Sequence, residues 1–230
     1  TFVPHVNYST YVDLYGNVCT RLVAPAGRLS IWNRFLIEDS GLPDVLPIGA
    51  RQHPIPELPD DVLVFLLGSR YCDTEQLMAF AWSQFGAIEE GWPRVKAIMD
   101  YAHQHITFGY QHARKDRTAS GAHQERVGVC RDFAHLAVTL CRCMNIPARY
   151  CTGYLGDIGV PRDPSPMDFS AWFDVYLGGA WHTLDARHNK PRIGRILMAR
   201  GRDATDTAIS TAFGVADLVE FTVITEEVVS

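Results

Sequence analysis

No apolar run in the 230 residues approaches the roughly 18 needed to cross a bilayer. No membrane partner is expected. No long basic run offsets the net charge of −5, so the chain lacks the electrostatic footprint of a nucleic-acid binder. There is no CxxC pair. The six cysteines are Cys19, Cys72, Cys130, Cys141, Cys143 and Cys151. A disulfide framework is not expected in a chain long enough to bury a real core. No signal peptide is visible. Reduced thiols and a cytoplasmic site are the expectation. Metal-ligand spacing is also missing. Cys141 and Cys143 on a helix diverge by about 200°, as do His103 and His105. Neither a metal nor a cofactor is implied, and no calcium loop is recognisable. No internal repeat is seen.

What is present begins with β character. Tyr8 to Tyr15 and Val18 to Val23 flank a Gly16-Asn17 turn signal, and Ser30 to Ile37 is a further strand candidate. Prolines then gather at 43, 47, 54, 56 and 59, which suggests a linker. From Asp73 the pattern turns helical. Asp73 is read as an N-cap, with Gln76 completing a variant capping box and Gly86 as the stop. A second helix follows from Pro93, with Val95, Ile98, Met99, Ala102 and Ile106 on one face. Gly109 to Gly128 is polar and reads as a surface loop, with Arg114, Lys115, Asp116 and Arg117 exposed. The third helix, "CRDFAHLAVTLCRCMNI", aligns Phe133, Leu136, Ala137, Leu140 and Met144 and is stopped by Pro147. Ala148 to Tyr154, a hairpin, Ile193 to Ala199 and Val219 to Glu227 are read as strands. Gly156 to Pro166 is a loop that can line a binding cleft. Strands, then helices, then antiparallel strands make an α+β fold.

The chemistry centres on Cys130, at the start of the third helix. Free N–H groups and partial positive charge there favour thiolate, the nucleophilic form, and can hold an oxyanion. The plain alternative is a small buried core residue. Cys141 and Cys143 lie inside the helix and are read as packing residues. A cysteine nucleophile wants a base and an orienting group. In "MDFSAWFDVYLGGAWHTLDARHN" a two-residue turn at Gly178-Gly179 sets Leu177 opposite Ala180. Trp172 then faces Asp185, and Ser170 is its diagonal neighbour, about 7–8 Å away. An imidazole at 170 would bridge that gap; a serine hydroxyl is too short and too weak a base. His182 falls on the opposite face. His188 also has the wrong parity, although it lies at the strand end. His135 lies about 140° around the helix from Cys130. Asp132 is expected to cap the helix start or to pair with Arg131 or Arg187.

"GVCRDFAHLAVTLCRCMNIPARYCTGYL" and "DFSAWFDVYLGGAWHTLDARHN" resemble the bacterial transglutaminase-like family of papain-like cysteine enzymes. The resemblance extends over about residues 60 to 230 through "ARGRDATDTAISTAFG". "YVDLYGNVCTRLVAPAG" resembles the β domain that precedes the core, which Thr1 is expected to enter part-way. The implied organisation is a partial N-terminal β domain with a Pro-rich linker over 1–62 and a transglutaminase-like core over 63–230. In that core, helices carrying the nucleophile pack on an antiparallel sheet. The implied activity is acyl transfer from, or hydrolysis of, peptide or protein amides, with protease, amidase and deamidase variants. The implied triad matches Cys130 and Asp185. Its histidine belongs where this chain has Ser170.

Three explanations of Ser170 stand. It is an introduced substitution in a working enzyme; or the protein is a natural, degenerate peptide- or protein-binding module; or another group replaces the histidine. A scaffold leaving catalysis behind has no need of both Cys130 and Asp185, which favours the first. As written, the chain is expected to be weak or inactive. Trp172 is expected to wall the cleft or bind an acyl oxygen, with core packing the plain alternative. The oligomeric state is left open.

Overall fold

The computed structural model describes residues 1–163 and 167–228. The expected loop Gly156 to Pro166 therefore ends on residues, 164–166, outside the described ones. The chain divides into two compact units, Thr1–Gly41 and Leu42–Ser230.

The first unit holds four short strands: β1 (Phe2–Val3), β2 (Tyr8–Val12), β3 (Val18–Leu22) and β4 (Ser30–Ile31). β1 pairs with β4 and β2 with β3, both antiparallel. The expected hairpin forms, but its loop is five residues rather than two. The Asp13 carboxylate explains this. It accepts the backbone N–H groups of Tyr15 and Asn17 and the Asn17 side-chain amide, an Asx-type arrangement that ends the strand early. The strand expected over Ser30 to Ile37 is only Ser30–Ile31.

In the second unit, 3-10 turns at Ile55–Glu57 and Asp60–Leu66 occupy the proline-rich stretch. Then come α1 (Thr74–Phe85), α2 (Trp92–His105), β5 (Thr107–Phe108), α3 (Ala119–Glu125), β6 (Val127–Gly128) and α4 (Cys130–Cys143). β7 (Ala148–Leu155), β8 (Ser170–Leu177), β9 (Ala180–Leu184) and β10 (Arg195–Gly201) complete it. The last four form one antiparallel sheet in the order β10-β7-β8-β9. This is the α+β core expected from the sequence.

α4 is the centre. Every residue from Asp132 to Cys143 is buried. Leu136, Leu140, Phe173, Val175 and Leu177 belong to one core between helix and sheet. A helix buried on all sides must neutralise its own polar groups. Arg142 does so through the carbonyls of Ala148, Leu67 and Arg202.

Four sequence expectations give way. Asp73 makes no side-chain cap; its carboxylate takes the Ser120 N–H and hydroxyl instead. Residues 109–128 are not one exposed loop. They contain a 3-10 turn at Tyr110–His112, the helix α3 and the strand β6. Arg117 is 4% exposed rather than on the surface, and it pairs with Glu125 and Asp132. Residues 219–227 hold no strand. A sequence pattern of charge reads as solvent-facing unless its partners, here many residues away, are known.

The hairpin of β8 and β9 forms as counted. Gly178 and Gly179 have φ of 59° and 85°, the positive values a two-residue turn requires. Leu177 faces Ala180, and the ladder runs to Phe173 opposite Leu184. On the other side of β8, Gly153 of β7 lies where an added Cβ would stand 2.0 Å from the Ile196 carbonyl and 2.9 Å from Trp172. Gly153→Ala is expected to cost about 1–3 kcal/mol through forced backbone movement. A fall in the thermal unfolding midpoint measures it; an unchanged midpoint refutes it.

Candidate active site

α4 starts at Cys130 because of what precedes it. β5 and β6 pair in parallel, with Phe108 opposite Gly128, two residues before the cysteine. Asp132 Oδ2 accepts the Val129 N–H at 2.8 Å and the Arg117 guanidinium at 3.1 Å. It thus caps the first turn and fixes the approach of the chain. Its partner is Arg117, not Arg131 or Arg187 as the sequence suggested. Gly128 is required here: a Cβ would stand 2.6 Å from the Asp132 side chain.

Cys130 is half-buried. Burial pushes its thiol pKa up; the Arg187 charge and the Ala171 N–H pull it back, and Asp185 and Asp168 add to the rise. The net direction is upward. The helix start alone does not make a thiolate here, so at neutral pH the sulfur is a protonated thiol.

Ser170 is the first residue of β8, next to Ala171 and opposite Gly153. It is 7% exposed, and its hydroxyl oxygen is buried without a hydrogen-bond partner. An orphaned hydroxyl costs free energy and does nothing for the fold. Asp185 follows the end of β9. The ladder stops at Leu184, one pair short of Trp172 and Asp185. Beyond it the chain turns, with the Asn189 N–H donating to the Asp185 carbonyl at 2.8 Å.

That turn overrules the parity count for His188. Its backbone N–H donates to Asp185 Oδ1 at 3.0 Å, and its Nδ1 lies 2.9 Å from Oδ2. An ionised carboxylate only accepts, so Nδ1 carries the proton. Arg195 Nη2 donates to the same Oδ2 at 3.1 Å and to Asp44 at 3.1 Å. Burial by itself would raise the Asp185 pKa. The His188 hydrogen bond and the Arg195 charge outweigh it and hold the carboxyl well below its usual range. Trp172 is 2% exposed and lies beneath Arg195, whose guanidinium carbon is 4.6 Å from the ring centroid. Asp185 also lines a cavity of about 40 Å³ with Asp44, Lys96, Met99 and Asn189. That is room for water, not for a peptide.

Four other histidines are engaged elsewhere. His135 is fully buried, accepts the Ala204 N–H and stacks on Tyr71. Burial drives its pKa to about 3, so it stays neutral. His182 bonds to the Leu177 carbonyl, on the face the register assigned. His123 stacks with His105. Sequence reasoning missed Arg195 and Asp44 altogether. Neither carries a local signal, because each meets Asp185 only through folding. Among the described residues, no group of three or more His, Cys, Asp or Glu could hold a metal ion. No helix among them is long and apolar enough to cross a membrane.

Residues 79–186 match the model of the transglutaminase-like superfamily. This spans Cys130, Ser170 and Asp185 and is narrower than the 60–230 of the sequence resemblance. An uncharacterized protein of Mycobacterium leprae is 28% identical over 217 residues, 90% of this chain and 76% of that one. A crystal structure of a candidate cysteine protease from Cytophaga hutchinsonii superposes with a TM-score of 0.76 at 29% identity. The match covers 94% of this chain and 73% of the other.

Proposed function

For a chain whose residues 79–186 form a transglutaminase-like core, we propose a thiol site for acyl transfer or hydrolysis at peptide or protein amides, lacking its base. Cys130 is the nucleophile, Asp185 the orienting carboxylate, and position 170 the place of the missing imidazole. The observation that carries this is at the start of β8. Ala171, the second residue of β8, packs with Cys130 in one small cluster, and the adjacent Ser170 hydroxyl is buried with no partner among the described residues.

The chemistry runs as follows when a base is present. The thiol proton passes to the base, and sulfur attacks the amide carbonyl. The α4 N-terminus faces the developing oxyanion. The tetrahedral intermediate collapses by breaking the C–N bond, and the base returns the proton to the departing amine. Water or a second amine then attacks the thioester and releases the thiol. The Cytophaga neighbour's description as a candidate cysteine protease favours water as the acceptor. With Ser170 the first proton transfer has no base, so the chain as written is weak or inactive. His188 has the tautomer a base needs, with Nδ1–H held by Asp185, but the groups that act most on the sulfur are Arg187, Asp185 and Asp168, and His188 is not among them. The six free thiols support a reducing, cytoplasmic compartment.

In a Ser170→His background, adding Cys130→Ala is expected to abolish amide turnover without lowering the unfolding midpoint by more than a degree or two. Peptide-amide hydrolysis and a thermal melt read the two. Turnover that survives would remove Cys130 from the mechanism. A second reading, a degenerate peptide-binding module, is favoured by the protonated, baseless thiol. It requires that a retained peptide bind equally well to the Cys130→Ala protein.

A further inference from the structure

Arg187 stands out among the charged groups around the sulfur. It lies in the turn after Asp185, and its backbone is pinned there. His103 Nδ1 donates to the Arg187 carbonyl at 2.8 Å, and Asn189, at φ 51°, closes the turn. Its side chain makes no ion pair with a carboxylate among the described residues. The guanidinium carbon sits 3.7 Å from the centroid of the Phe108 ring. Phe108 is paired with Gly128, and Gly128 is two residues from Cys130. The cation is thus stacked on the strand pair that leads into the nucleophile's helix. Its charge is the strongest of those that favour the thiolate of Cys130.

The neighbouring arginines are committed. Arg195 is held by Asp44 and Asp185, and Arg192 donates to the Gly156 carbonyl. Arg187, half-buried, has no ion-pair partner and donates no side-chain hydrogen bond among the described residues. A guanidinium laid flat on an aromatic ring keeps its edge donors free, and that edge matches a carboxylate in a bidentate fork. Of the two carboxylates that act on the sulfur, Asp185 is held by His188 and Arg195, and Asp168 accepts the Phe169 N–H.

Resting on the amide-cleaving reading above, we propose that Arg187, held on Phe108, selects substrates with a carboxylate next to the amide that reacts. The substrate class is an acidic peptide amide, with the anion in contact with Arg187 and the carbonyl over Cys130. Arg187 is then a specificity residue that touches substrate.

The first test needs no catalysis. Iodoacetate and iodoacetamide both alkylate a thiolate, forming an S–C bond and releasing iodide, and differ in carrying a carboxylate or a neutral amide. Their rates at Cys130 are measured at alkaline pH by mass spectrometry of the Cys130 peptide. Arg187→Gln is expected to lower the iodoacetate-to-iodoacetamide ratio by about tenfold, the worth of a charge-assisted hydrogen bond. Arg187→Lys should retain part of it. In the unaltered chain, which removes any question of folding, added salt should lower the same ratio by screening the pair. A ratio unmoved by both substitution and salt overturns the proposal. So does a fall in both rates with the ratio kept, which would make Arg187 only an aid to thiolate formation.

The second test uses Ser170→His. A peptide amide with a neighbouring Glu should have kcat/KM about tenfold above its Gln counterpart, and Arg187→Gln should erase the difference. Equal kcat/KM for both peptides would overturn anion selection. If Ser170→His cleaves no amide while the alkylation ratio still depends on Arg187, the amide-cleaving reading fails and anion recognition at Cys130 stands.

Discussion

Ser170→His is expected to raise amide turnover by about 10²–10⁴-fold, the usual worth of a positioned general base. The gain has two sources. An imidazole takes the thiol proton, and the resulting imidazolium holds the thiolate. Cys130 needs both, because burial and the Asp185 and Asp168 charges keep its pKa up. The new ring would stand at the start of β8, on the strand that pairs with β9 just before Asp185. It would find an acceptor there. Asp185 Oδ2 is filled by His188 and Arg195, but Oδ1 accepts only the His188 N–H, leaving one lone pair. Turnover of a peptide amide measures the first source. The pH dependence of Cys130 alkylation by iodoacetamide measures the second. A favourable ion pair lowers the thiol pKa, so the alkylation midpoint should move down into the neutral range. A midpoint equal to that of the Ser170 protein would sink the triad assignment.

Asp132→Ala is expected to destabilise the protein by about 3 kcal/mol, since it strands a buried arginine and removes a helix cap. Arg117 is 4% exposed and gives one of its donors to Asp132 at 3.1 Å. It keeps Glu125 and the His112 carbonyl, which places the cost at the lower end for a broken buried pair. For a chain of this size that is a fall in unfolding midpoint of about 6–12 °C. Replacing Arg117 by methionine in the same molecule should recover much of it, because a buried apolar pair replaces a half-broken ionic one. If the double variant is no more stable than Asp132→Ala, the loss comes from the cap and not from the stranded charge.

These two residues show what a chain reveals before it folds. The β8–β9 register was legible from Leu177 to Phe173 because a Gly-Gly turn fixes it and period-two alternation carries it along the strand. Cys130 was legible because α4 begins abruptly after a glycine. The count failed past Leu184, where hydrogen bonds to Asp185 replace the ladder and bring His188 round. Arg117 reads as a surface cation because its acid, Asp132, is fifteen residues away. Arg195, the partner of Asp185, and Asp44, which shares that arginine, lie on either side of Asp185 in sequence, and no local pattern links them. Helix and strand periods encode which face is buried. They do not encode which buried charge meets which.

The fixation of Asp185 changes what its presence means. This carboxylate neutralises a buried arginine, accepts the N–H that forms the turn at 188, and fixes an imidazole. A molecule with no reaction to perform would still need it to hold β10 to the end of β9. Asp185 is therefore a structural tenant whether or not the site works, and its retention beside Ser170 is not a sign of a recently silenced enzyme. The thiol has no such second occupation. Among the described residues Cys130 packs against the small cluster of Ala134, Tyr150 and Ala171 and makes no ion pair, so the proposed chemistry rests on the sulfur more than on the carboxylate.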